Sequence, residues 1–114
     1  MQTAETINHA IIANRLAIED TKYALGRLRI RNHHTGTGEL EAMKSNCEGK
    51  VTTHSKELEG LADMDRSGRQ CARSRAINSQ KHAEKASDRA WAILEAAEPR
   101  ITEDPGWGRY PRNK

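Results

Sequence analysis

Residues 72–97, ARSRAINSQKHAEKASDRAWAILEAA, decide the fold. Ala72, Ala76, Ser79, Ala83, Ala86, Ala90, Ile93 and Ala97 recur in alternating steps of four and three, which places them on one stripe of an α-helix. Nearly all are small, and a stripe of alanines admits a neighbouring helix at short range, because interaxial distance follows the size of the side chains between the axes. The stretch therefore predicts a packed helical assembly, and by itself no chemistry.

This helix is expected over about 67–98. Ser67 and Gln70 form the serine-x-x-glutamine pattern of a capping box at its start. Pro99 marks its exit, because the residue before a proline is pushed out of helical geometry. Ile77, Trp91 and Leu94 supply a second line beside the alanines.

Before it, Leu40, Lys44, Cys47, Val51, His54, Leu58 and Leu61 keep the same spacing and predict a helix over about 38–62. It is the weakest of the set: Gly49 costs about 1 kcal/mol relative to Ala, and the Val51-Thr52-Thr53 run adds β-branched crowding. Gly60, Asp63, Asp65 and Gly68 gather turn-forming residues after it. The rival is one continuous helix of about 60 residues and about 90 Å. It would place Asp65 and Gly68 on buried seam positions, where both are unfavourable, so a turn is preferred.

The first helix is expected over about 3–31, with Thr3 as the capping residue and Glu5 in the electropositive first turn. Its seam reads Ala4, Ile7, Ile11, Asn14, Ile18, Thr21, Leu25, Leu28. A second apolar line, Ile12, Leu16, Tyr23 and Ile30, predicts contact with two neighbours and a central place in the bundle. Asn14 and Thr21 interrupt the seam two turns apart, a device that fixes register or partner number. Asn32 to Gly38 form a polar, Gly-containing loop.

These segments predict an all-α protein: an elongated three-helix bundle running up-down-up, with coiled-coil-like packing. It forms one domain over 1–101, followed by an irregular tail over 102–114. With no Phe, two Trp and two Tyr among 114 residues, the core is thin, and burial completed by self-association or by a partner is expected. The longest apolar run, Ala10-Ile11-Ile12-Ala13, falls far short of the roughly 20 residues of a membrane span. The first 18 residues lack the cationic start and apolar block of a secretory signal. Cys47 and Cys71 read as small packing residues of a reduced, cytoplasmic protein.

Charge is distributed in blocks. Five cations against two acids give residues 15–34 a net +3, three against seven give residues 39–65 a net −4, and seven against two give residues 66–89 a net +5. An acidic middle helix between two basic ones implies pairing along the helix edges. A basic face meeting an anionic partner is the alternative. Its residues would be Arg66, Arg69, Arg73, Arg75 and Lys81 on the third helix, with Arg27, Arg29 and Arg31 at the end of the first. Arg66, Arg69 and Arg73 share one helical face. Against that alternative, no zinc-finger spacing, basic zipper region or aromatic RNA-binding motif occurs.

The tail alternates aromatics and cations on a Gly/Pro backbone, and Trp107, Arg109, Tyr110 and Arg112 are residue types that dominate binding hot spots. They are the candidate partner-binding residues. Metal binding is not expected: Cys47 and His54 are seven residues apart, or about 10 Å along a helix, and a Cys47–His82 approach across two helices would supply only two ligands. Thr35-Gly36-Thr37-Gly38 lacks the lysine and preceding strand of a phosphate-binding loop, and no nucleophile elbow or metalloprotease motif occurs.

The sequence thus predicts a non-catalytic protein without cofactor or membrane partner. It would be a small adaptor, inhibitor or assembly subunit that binds another protein, itself, or both. By analogy of size and character it suits a phage or mobile-element accessory factor acting on a host enzyme or nucleoprotein. The alternative is a helical protein that holds a nucleic-acid backbone through its Arg-rich third helix.

Overall fold

The structure is a computed structural model that describes residues 2–98. Its elements are α1 (Gln2–Ile30), α2 (Thr37–Glu59), a single 3₁₀ turn (Leu61–Asp63) and α3 (Arg66–Ala97). No strand is present among the described residues, which extend over 53 × 27 × 16 Å. The fold is the all-α three-helix bundle that the seams predict. The turn between α2 and α3 excludes the continuous long helix.

Three of the helix ends have a local cause. Asn32 adopts a left-handed conformation (φ 58°) after α1. The amide of His33 donates to the carbonyl of Leu28 (2.9 Å) and that of Asn32 to Arg29 (3.1 Å), the paired bonds of a Schellman motif. Gly36 precedes α2 at φ 88°. A Cβ there would also lie 2.6 Å from Cγ2 of Ile93, so glycine is required both by conformation and by the approach of α3. At α3 the cap is Asp65, whose Oδ1 accepts from the amide of Gly68 at 2.7 Å. The helix therefore starts one residue before Ser67, and the proposed Ser67/Gln70 box is not its cap. Thr3 likewise lies inside α1, which already includes Gln2.

Three clusters order the core along the long axis. Ile7, Ala10, Ile11, Ala72 and Ala76 pack at one end beside Val51, Leu58, Leu61 and Met64. Leu25, Leu28, Leu40, Ala90, Ile93 and Leu94 pack at the other beside Tyr23, Met43 and Trp91. Between them Ala17, Cys47 and Ala83 form a narrow waist. The pairing shows that α1 and α3 run parallel with α2 antiparallel to both. Most helix contact lies between α1 and each of the others, while α2 and α3 barely approach. α1 is thus central.

Its centrality does not arise from the second line the sequence suggests. Ile12, Leu16 and Ile30 are 53%, 60% and 79% exposed. Of that line, only Tyr23 joins the interior, with its ring 5.5 Å from that of Trp91. The buried line beside the seam is instead Ala10, Ala17 and Ala24, spaced by seven, which share clusters with Ala72 and Ala76, with Ala83 and with Ala90. Small residues face small residues along the α1–α3 contact. On α3, Ser87 is buried where Ala86 was expected, and Ala86 and Ala97 are half-buried.

Candidate functional site

The polar groups divide into those the bundle consumes and those it leaves available. Asn14 is consumed: its Nδ2 donates to the carbonyl of Ala10 (2.8 Å) and to Oγ of Ser79 (2.9 Å), tying α1 to α3 inside the core. Thr21 satisfies its hydroxyl on the carbonyl of Ile18 at 2.9 Å. His54 is buried, and its Nδ1–H donates to Oε1 of Glu57 at 2.8 Å. The other oxygen of Glu57 accepts from Nε of Arg75 at 2.8 Å, so the chain of three links α2 to α3. Nε2 of His54 is enclosed without a hydrogen-bond partner among the described residues. A general base must reach its proton donor, and this nitrogen is closed off from solvent.

The acidic middle helix does pair with its basic neighbours. Arg29 of α1 meets Glu41, and Arg89 of α3 holds Glu39 through two bonds of 2.7 and 3.0 Å. Hydrogen bonding to Arg89 holds the Glu39 carboxyl below its ordinary range, with the guanidinium charge acting in the same direction. A depressed carboxylate stabilises the fold above its unfolded pKa and ceases to do so as the pH falls through the folded value. Both side chains are solvated, so the contribution is small. Glu98, immediately after α3, is buried and receives Nε and Nη2 of Arg27 on Oε1 (3.3 and 3.1 Å). Nε of Arg31 stands 3.1 Å from its Oε2 as an ion pair without hydrogen-bond geometry.

The eight basic candidates fall into separate groups. Arg27, Arg29, Arg31 and Arg75 are bound to glutamates within the bundle. Arg66, Arg69 and Arg73 meet no carboxylate among the described residues, and together they line one cleft of about 310 Å³ with Gln2, Thr3 and Gln70. Lys81 is exposed and lines none of the clefts described here. The sequence placed Arg66, Arg69 and Arg73 on one face. It did not reveal their separation from the other arginines, because pairing depends on which helix edges meet.

Two further surfaces stand out. At the waist, where no large side chain fills the gap between α2 and α3, a groove of about 270 Å³ opens over Cys47, Ala83 and Ala86, with Lys50, His82 and Lys85 along its rim. Cys47 and His82 do share this groove, yet among the described residues no three His, Cys, Asp or Glu side chains come together to hold a metal ion. Burial pushes the Cys47 thiol up in pKa, with Glu48 adding to the shift. Cys71 is exposed, contrary to the packing role expected of it. The second surface is the outer side of α1, where Ile12 and Leu16 stand one turn apart in solvent.

Trp107, Arg109, Tyr110 and Arg112 lie outside the described residues. No helix among the described residues is long and apolar enough to cross a membrane. No protein family model, curated protein or solved structure matches the chain.

Proposed function

We propose that this protein is a non-catalytic binding module, an adaptor, inhibitor or assembly subunit whose partner is another protein. One observation carries the reading: Ile12 and Leu16 project together from the outer face of α1, although the inner face of that helix is filled by both of its neighbours. Single exposed aliphatics are ordinary. A pair at i and i+4 on a rigid central helix has the spacing by which one helix face anchors in a partner's groove. The tail residues Trp107, Arg109, Tyr110 and Arg112 are proposed as a second binding element by their type alone.

The test is quantitative capture from lysate, with and without nuclease treatment, by three proteins: the full chain, Ile12→Ser/Leu16→Ser, and a form ending at Thr102. Recovery of a protein by the full chain and its loss from the double variant supports the proposal. Loss only with the shortened form moves the interface to the tail. Identical recovery by all three rejects both surfaces. A second reading, a nucleic-acid-associated helical protein, is favoured by the uncompensated charge of Arg66, Arg69 and Arg73, and capture that disappears with nuclease would favour it.

A further inference from the structure

Because α1 and α3 run parallel, their N-terminal ends stand at the same pole of the bundle. The cleft of about 310 Å³ lies there, with Gln2 and Thr3 on one wall and Arg66, Arg69, Gln70 and Arg73 on the other. The three arginines sit at i, i+3 and i+7, so their guanidinium groups rise from one face of α3. Like charges placed this way repel unless an anion stands between them.

The chain offers no such anion among the described residues. Asp65 is the nearest acid in sequence, but its Oδ1 is engaged in capping at the Gly68 amide. Neither Asp63 nor Asp65 forms an ion pair with the three arginines, whereas Arg27, Arg29, Arg31, Arg75 and Arg89 each have a glutamate. Arg69 is partly fixed, since its Nε donates to the carbonyl of Leu61 at 3.3 Å. Its terminal nitrogens remain for a ligand. The positive ends of both helix dipoles add to the field without being its main source.

We propose that this cleft binds a phosphate-bearing ligand. A carboxylate matches one guanidinium fork, while a phosphate has oxygens enough for several forks at once, and Arg is the residue suited to such planar, bidentate recognition. Gln2, Thr3 and Gln70 supply neutral hydrogen-bonding groups around the same volume. Two sources share this chemistry, a nucleic-acid backbone and a free phosphoanion. The inference deepens the second reading of these arginines and is independent of the protein-binding one, which rests on the outer face of α1.

The test uses the full chain with two probes: a fluorescently labelled 12-nucleotide single strand followed by anisotropy, and pyrophosphate followed by calorimetry. The variants are Arg66→Gln/Arg73→Gln, Gln70→Glu, and a control of equal charge loss elsewhere, Arg15→Gln/Lys85→Gln. Arg15, Arg66, Gln70, Arg73 and Lys85 are all exposed in the fold, and thermal unfolding checks that each variant keeps its midpoint. At low salt the arginine pair is expected to weaken binding about tenfold and to reduce the slope of log affinity against log salt by about 1.4, two single-strand contacts' worth. Gln70→Glu should weaken it too, and the control by less than about twofold. Strand binding without pyrophosphate binding assigns the site to a nucleic-acid backbone. Stoichiometric pyrophosphate binding lost in the arginine variant assigns it to a free phosphoanion. Binding of neither probe, or equal loss in control and arginine variants, overturns the proposal.

Discussion

Gly36 shows how one residue carries two constraints. Its φ of 88° is one that side chains with a Cβ rarely adopt, and the space a Cβ would fill is taken by Ile93 of α3. Gly36→Ala is expected to lower stability by about 1–3 kcal/mol, measured by urea unfolding. A change below about 0.4 kcal/mol would mean that neither constraint holds. The two thiols give a second residue-scale prediction. Cys47 is buried with its thiol held protonated, while Cys71 is exposed. Reactivity follows the accessible thiolate, so a thiol reagent should label Cys71 rapidly in the native protein and Cys47 only on unfolding. Rapid labelling of both would contradict the burial of Cys47 at the floor of the waist groove.

At the scale of elements, the α1–α3 contact is set by alanine against alanine. Ala83 is buried at the waist with Ala17, and Ala83→Leu should separate the two helices at a cost of about 1–3 kcal/mol. The same change at half-buried Ala86, beside the groove, should cost less, and equal costs would show that the seam is not the close contact. These seams were legible in the sequence because a helix has a fixed period, and Ile7, Ile11, Asn14, Leu25, Leu28, Leu40, Cys47, His54, Ala72, Ala76, Ala83 and Ala90 all lie buried where the spacing puts them. What misled was size. Ile12, Leu16 and Ile30 drew the second line of α1 because they are large, whereas the close approach of α3 selects Ala10, Ala17 and Ala24. Competing caps were equally hard to separate, since Ser67 and Asp65 both offer an oxygen three residues ahead of an amide, and Asp65 makes the bond.

The candidate surfaces belong to the whole molecule, and they were only partly legible. The block pattern of charge foretold that α2 would pair with both neighbours, as Arg29–Glu41, Arg75–Glu57 and Arg89–Glu39 do. Which arginines would be left over follows from the parallel course of α1 and α3, a property of tertiary packing. The exposed pair Ile12/Leu16 emerged in the same way, as large side chains on the side of the central helix that no neighbour among the described residues covers. If that side is free for a partner, it contributes little to the fold of the isolated chain.

Urea unfolding of Ile12→Ser/Leu16→Ser, at two protein concentrations tenfold apart, tests this most directly. At the lower concentration a stability within about 1 kcal/mol of the unaltered protein is expected, as for surface substitutions, against a loss of about 2–5 kcal/mol for Ile7→Ala in the core. A loss confined to the higher concentration would identify a second copy of the chain as the occupant of this face. A loss of several kcal/mol at both concentrations would place Ile12 and Leu16 in the core and rule out a free outer face on α1.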